Sequence, residues 1–153
     1  MVDNIKNYMY YANQEREGFI KLYNSGSTYD FMAGMAQSIC EKYLKQIIDD
    51  YCQPSTVQEQ YEKEMILHTR NLRNLFKLLE KYEIDIDQEA KKTIMNVDGY
   101  YYSTRYPSPD AITISENDLK ECLNSINVCK NTVESIIEEM EYQDQSMDDM
   151  NMQ

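Results

Sequence analysis

The chain has 153 residues, enough for one domain with a core that needs no metal or disulfide to hold it. Tyr is frequent at 14, Trp is absent, and Gly and Pro number only 4 and 3, a composition that disfavours turn-rich β folds and favours helices. The net charge of −12 repels phosphate backbones, so non-specific nucleic-acid binding is disfavoured, and no run approaches the ~18 apolar residues of a membrane span.

The expected fold is all-α, an up-and-down bundle of about five helices, with boundaries good to a few residues. The first helix is expected over 3–23, with Ile5, Tyr8, Met9, Ala12, Phe19, Ile20 and Tyr23 as its apolar stripe. Asn24 to Ser27 supply a stop and a fresh cap. The second, over 28–51, carries Met32, Met35, Ala36, Ile39, Tyr43, Leu44, Ile47 and Ile48 on so wide a face that it is expected at the centre. Residues 54–66 read as a polar connection with at most a helical turn. The third helix, over 68–82, places Leu72, Leu75, Phe76 and Leu79 at the cleanest helical spacing in the chain. The fourth, over 87–104, aligns Ala90, Ile94, Val97 and Tyr101 and ends before Tyr106-Pro107, because the residue preceding proline avoids helical geometry.

Ser115, followed by Glu116, Asn117 and Asp118, reads as an N-cap with acidic residues in the first turn. The fifth helix, over 116–142, buries Leu119, Cys122, Leu123, Ile126, Cys129, Val133, Ile136, Ile137 and Met140. The bundle is thus expected over 1–143, and 144–153 as an acidic, disordered tail. Glu138, Glu139, Glu141, Asp144, Asp148 and Asp149 make the end of the fifth helix and the tail acidic, with no basic residue after Lys130. Cys40, Cys52, Cys122 and Cys129 form no CxxC pair, and most lie among apolar residues, so buried thiols are expected and no metal or cofactor. The opening MVDNIKNYMY has no secretory pattern, which makes the cytoplasm the expected location.

Three segments together resemble the HEPN domain (higher eukaryotes and prokaryotes nucleotide-binding). In the second helix, Ala36, Gln37, Glu41, Lys42, Leu44 and Lys45 follow that family's pattern. His68, Leu72 and Leu75 resemble the family's lead-in to its third helix, and Tyr101, Arg105, Tyr106 and Pro107 resemble the close of its fourth. The resemblance spans about residues 5 to 140. It implies a helical bundle, often dimeric, encoded in many prokaryotes beside a small nucleotidyltransferase as a toxin–antitoxin-like pair. Other members are metal-independent ribonucleases, which carry an Arg, four to six intervening residues and then a His. Here Arg105 is followed by YPSPDAIT, and His68 is the sole histidine, so the proton-transfer group is missing from the family position.

Each candidate residue has two readings. His68 either approaches Arg105 in a polar pocket or is an N-terminal cap or a satisfied, half-buried histidine. Arg105 either binds phosphate or carboxylate while stacking on rings, or forms a structural ion pair with Glu41. Arg70, Arg73 and Lys77 recur at three and four residues, giving one basic face that either contacts a phosphate-bearing ligand or an acidic partner, or is simply solvated. Tyr100, Tyr101 and Tyr102 point three ways round a helix, so one or two remain for an interface. The resemblance also makes them acceptors for a nucleotidyl group from a partner enzyme. The expected function is therefore an interaction protein: a homodimer partnering a nucleotidyltransferase-type protein and binding a nucleotide through Arg105, Arg70, Arg73, Lys77 and Tyr101. The alternative is a ribonuclease with a displaced site around Arg105 and His68.

Overall fold

The computed structural model describes residues 5–151. Among them there are seven helices and no strand: α1 (Tyr8–Asn24), α2 (Phe31–Tyr51), α3 (Val57–Leu67), α4 (Leu72–Lys81), α5 (Gln88–Met95), α6 (Tyr100–Ser103) and α7 (Glu116–Asn151). The all-α bundle read from the sequence is the fold observed.

Local signals place the helix starts. Asn7, Thr56, Asn71 and Asp87 each cap a helix by accepting the backbone N–H three residues on, at 2.9, 3.0, 3.2 and 3.1 Å. At α7 the capping is reciprocal: Ser115 Oγ accepts from Asp118 N at 3.1 Å, and Asp118 Oδ2 accepts from Ser115 N at 3.0 Å.

Helix α2 is the centre, as its wide apolar face predicts. From Met32 to Ile48 only Met35 and Lys42 keep appreciable exposure. Helix α1 runs antiparallel to it: Met9 N donates to Gln46 Oε1 at 3.0 Å, Tyr43 Oη to Asn13 Oδ1 at 2.7 Å, and Lys42 pairs with Glu15 at 3.0 Å. Helix α7 runs parallel to α2. Ile114 N, just before α7, donates to Asp30 Oδ1 at 2.9 Å, and Cys129 Sγ donates to Cys40 O at 3.6 Å farther along. Arg16 of α1 bridges to Asn127 of α7 at 2.8 Å, closing the three-helix core.

Between α2 and α7, three boundaries differ from the sequence expectation, each for a visible reason. Residues 57–67 form a full helix, because Thr56 and Glu59 build a capping box in which Glu59 Oε1 accepts from Ser55 N at 3.0 Å. This helix reverses the chain between α2 and α4 and so preserves the up-and-down order; Lys81 of α4 pairs back to Glu62 at 3.1 Å. Helix α4 begins at Leu72 rather than His68, since Asn71 caps it. The stretch expected as one helix over 87–104 breaks into α5 and α6 at Gly99, whose φ of +88° suits glycine and stops helical propagation.

The core includes Phe19, Ile39, Tyr43, Ile47, Leu72, Leu75, Leu79, Ile94, Val97, Ile126 and Val133. A fully buried side chain of this size contributes roughly 2 kcal/mol by leaving water. All four cysteines are buried free thiols. Burial pushes the Cys52 thiol up to about 11 and the Cys122 thiol up to about 12. Helix α7 continues to Asn151, past the expected boundary near Tyr142, with every described residue beyond Met140 exposed. No helix among the described residues is long and apolar enough to cross a membrane.

Candidate functional site

The residues of interest gather where α2, the α3–α4 link and α6 meet. Gln37 organises the junction. It is fully buried on α2, yet its side chain makes three hydrogen bonds to other groups. Its Nε2 donates to Glu41 Oε2 at 2.9 Å and to the carbonyl of Arg70 at 2.8 Å, and its Oε1 accepts from Tyr101 N at 2.7 Å. One side chain therefore fixes both the link before α4 and the first turn of α6 against α2.

Arg70 and Arg105 converge on one ring. The Arg70 guanidinium lies over Tyr101 at 4.2 Å from the ring centroid, and the Arg105 guanidinium at 4.4 Å. Arg105 reaches this position because α2 carries Gly34 beneath it: a Cβ there would meet Arg105 Nε at 2.9 Å and Thr104 Oγ1 at 3.1 Å. Thr104 Oγ1 donates to Tyr100 O at 2.6 Å and tightens the end of α6. Tyr102 and Tyr106 extend the aromatic surface, their rings 5.8 Å apart and both largely exposed.

The electrostatics are uneven. Glu41 is almost wholly buried, and its carboxylate is 3.9 Å from both Lys45 Nζ and Arg70 Nη1. Burial raises its pKa against the lowering influence of Lys45, the Gln37 hydrogen bond and Arg70. Burial likewise lowers Lys45, with Glu41 opposing. Both partners move toward neutrality, so desolvation outweighs these long ion pairs. Arg105 has no ion pair among the described residues. Its pairing with Glu41, one of the two sequence readings, is not found; Lys45 and Arg70 take that place because they approach the carboxylate while Arg105 lies over Gly34. Arg70 and Arg105 are exposed residues, and the planar edge of a guanidinium suits phosphate oxygens.

Other expected residues fall elsewhere. His68 is exposed and terminates α3 as its C-cap, not as the N-cap of the next helix, with its N–H donating to Met65 O at 3.2 Å. Arg73 and Lys77 project from α4 into solvent, while Arg70 precedes that helix, so the three do not share one helical face. Of the three tyrosines, Tyr100 packs against the core, Tyr101 bears the guanidiniums and Tyr102 is exposed. The sequence reading assigned no role to Gln37 or Gly34. The available signal was a Gln–Glu pair four residues apart inside an otherwise apolar face, and a glycine within a strong helix.

A family model described as the HEPN domain matches residues 59–140. No curated protein and no solved structure matches the chain.

Proposed function

The chain belongs to the HEPN domain family, and from that premise we propose that it is an interaction protein: a cytoplasmic homodimer that partners a small nucleotidyltransferase in a toxin–antitoxin-like pair and binds a nucleotide. The observation that carries the nucleotide reading is the pair of guanidiniums on Tyr101, one of them with no carboxylate partner among the described residues. Arg70 and Arg105 would hold phosphate oxygens, Tyr101 would keep both cations in place, and exposed Tyr102 and Tyr106 would offer rings for a base. Arg73 and Lys77 would add positive potential from α4 without direct contact. The exposed phenol of Tyr102 is the accessible acceptor should the partner transfer a nucleotidyl group, and the same aromatic surface suits a two-fold contact.

Light scattering on the purified chain, alone and mixed with a small nucleotidyltransferase of the proposed kind, tests the assembly. A dimer of the 18.2 kDa chain and a stoichiometric complex are expected. A monomer that ignores the partner would refute this part of the reading.

The second reading, a displaced ribonuclease site, is favoured by one observation. His68 stands two residues before Arg70, whose guanidinium shares the Tyr101 ring with Arg105. The preferred reading expects no cleavage of single-stranded or structured RNA, with or without divalent metal. Cleavage abolished by both His68→Ala and Arg105→Ala, with helicity intact, would replace it with the ribonuclease.

A further inference from the structure

The far end of α7 is a helix with nothing to cover it. Its core stripe of Cys122, Ile126, Cys129, Val133, Ile136 and Met140 continues at the same spacing, through the polar Gln143, into Met147 and Met150, while Tyr142 falls on the other side of the helix. These three are 62%, 73% and 74% exposed. Helical segments without tertiary contacts are marginal in water, and an apolar stripe running on beyond a bundle marks a contact surface.

The charge around the stripe has one sign. Glu139 and Asp144 flank it, Glu138, Glu141, Asp148 and Asp149 lie farther round the helix, and no basic residue follows Lys130. Helix α2 ends nearby with Asp49 and Asp50 exposed and no basic residue in its last turn, where the helix dipole already favours cations. Tyr51 lies between the two helix ends: burial raises its phenol, and Glu141, Asp50 and Asp144 add to that, so carboxylates from both helices surround it. Helix α3, tied to the same end of α2 by Lys63 Nζ donating to Asp49 O at 3.0 Å, exposes Val57, Tyr61 and Met65 at four-residue spacing.

We infer that the end of α7 beyond Met140 is a docking arm for a cationic amphipathic helix of another protein, whose apolar side covers Met147 and Met150 while its Lys or Arg residues face the α7 and α2 carboxylates. Charge decides the occupant. A second copy would bring an equally acidic arm, and nucleic acid or an anionic lipid surface would be repelled. The arm also stands apart from the nucleotide site, since Gly34 and Asp50 are about 24 Å apart along α2 at 1.5 Å per residue. Either assignment can fail without the other.

The test uses the full chain and a fluorescein-labelled Lys/Leu peptide of about five helical turns, its leucines at helical spacing on one face. A control peptide has the same composition with leucines scattered round the helix. Anisotropy is read near 0.15 M salt. The one-faced peptide is expected to bind at least about tenfold tighter than its isomer. Met147→Ser with Met150→Ser, which leaves the charge unchanged, should abolish that difference, and Asp144→Asn with Asp148→Asn should weaken binding and flatten its salt dependence. Circular dichroism should show each variant folded. Equal binding of the two peptides would reduce the arm to a diffuse acidic surface and overturn the inference. So would binding that survives both pairs of substitutions. A dimer that dissociates on Met147→Ser with Met150→Ser would assign the arm to a second copy and overturn it equally.

Discussion

Replacing Gln37 with Leu tests the junction that builds the site. Leucine is close to glutamine in volume, so the substitution opens little cavity, and its cost comes from lost hydrogen bonds. Three disappear: to Glu41 Oε2 at 2.9 Å, to Arg70 O at 2.8 Å and from Tyr101 N at 2.7 Å. Each buried group left without a partner costs about 1–3 kcal/mol. Water can reach the Arg70 carbonyl, since Arg70 is exposed, so the full penalty falls mainly on Tyr101 N–H and Glu41. Glu41 also loses one of the contacts that lower its pKa. The expected loss is about 2–4 kcal/mol, which for a domain of this size lowers the melting temperature by roughly 5–15 °C. Urea denaturation with an unchanged m-value measures it. A loss below about 1 kcal/mol would mean that Gln37 does not tie α6 and the α3–α4 link to α2, and the site's construction as described would be wrong.

Two further outcomes follow from the same junction. Gly34→Ala places a Cβ 2.9 Å from Arg105 Nε, so the exposed guanidinium should swing off Tyr101. Alanine favours α2 by about 1 kcal/mol, so urea titration should find stability changed by less than that, while nucleotide affinity falls severalfold. A loss above about 3 kcal/mol would show the α6 backbone, not Arg105, to be what cannot move. Glu41→Gln addresses pH. Burial holds the Glu41 carboxyl above its ordinary value, so its contribution to stability is present below the unfolded value, near pH 4, and is lost as pH rises through the folded value. The glutamine variant should match or exceed the parent in melting temperature at pH 7 and lose that advantage at pH 4. Greater destabilisation at pH 7 than at pH 4 would contradict the sign.

Much of the fold was legible because its signals are local. Leu72, Leu75, Phe76 and Leu79 read as one buried stripe and are one. The Ser115 cap is where the sequence placed it. Helix α3 was underread because its polar surface hides the period: Lys63 is its one buried residue, and the decisive signal was the Thr56–Glu59 capping box. Gly99 likewise signalled the break in the fourth stretch, but Ala90, Ile94 and Val97 before it, in register with Tyr101 after it, masked it.

For the site, Arg105 and Tyr101 were legible through their motif, four residues apart. Arg70 was grouped with them, but through a helical face shared with Arg73 and Lys77, whereas its contact depends on a link ending at Asn71. Gln37 was the hardest to see. Its pairing with Glu41 four residues on is its one local signal, and its other two partners, at Arg70 and Tyr101, come from distant places in the chain.

The central assignment is a nucleotide held by the two guanidiniums on Tyr101. Isothermal titration of the full chain with ATP, GTP and their mono- and diphosphates addresses it directly, alongside Arg70→Ala with Arg105→Ala. Saturable binding at one site per chain is expected, weakening at least about tenfold in the double variant with melting temperature within a few degrees of the parent. No saturable binding of any of these nucleotides, or binding of equal strength in the double variant, would contradict it.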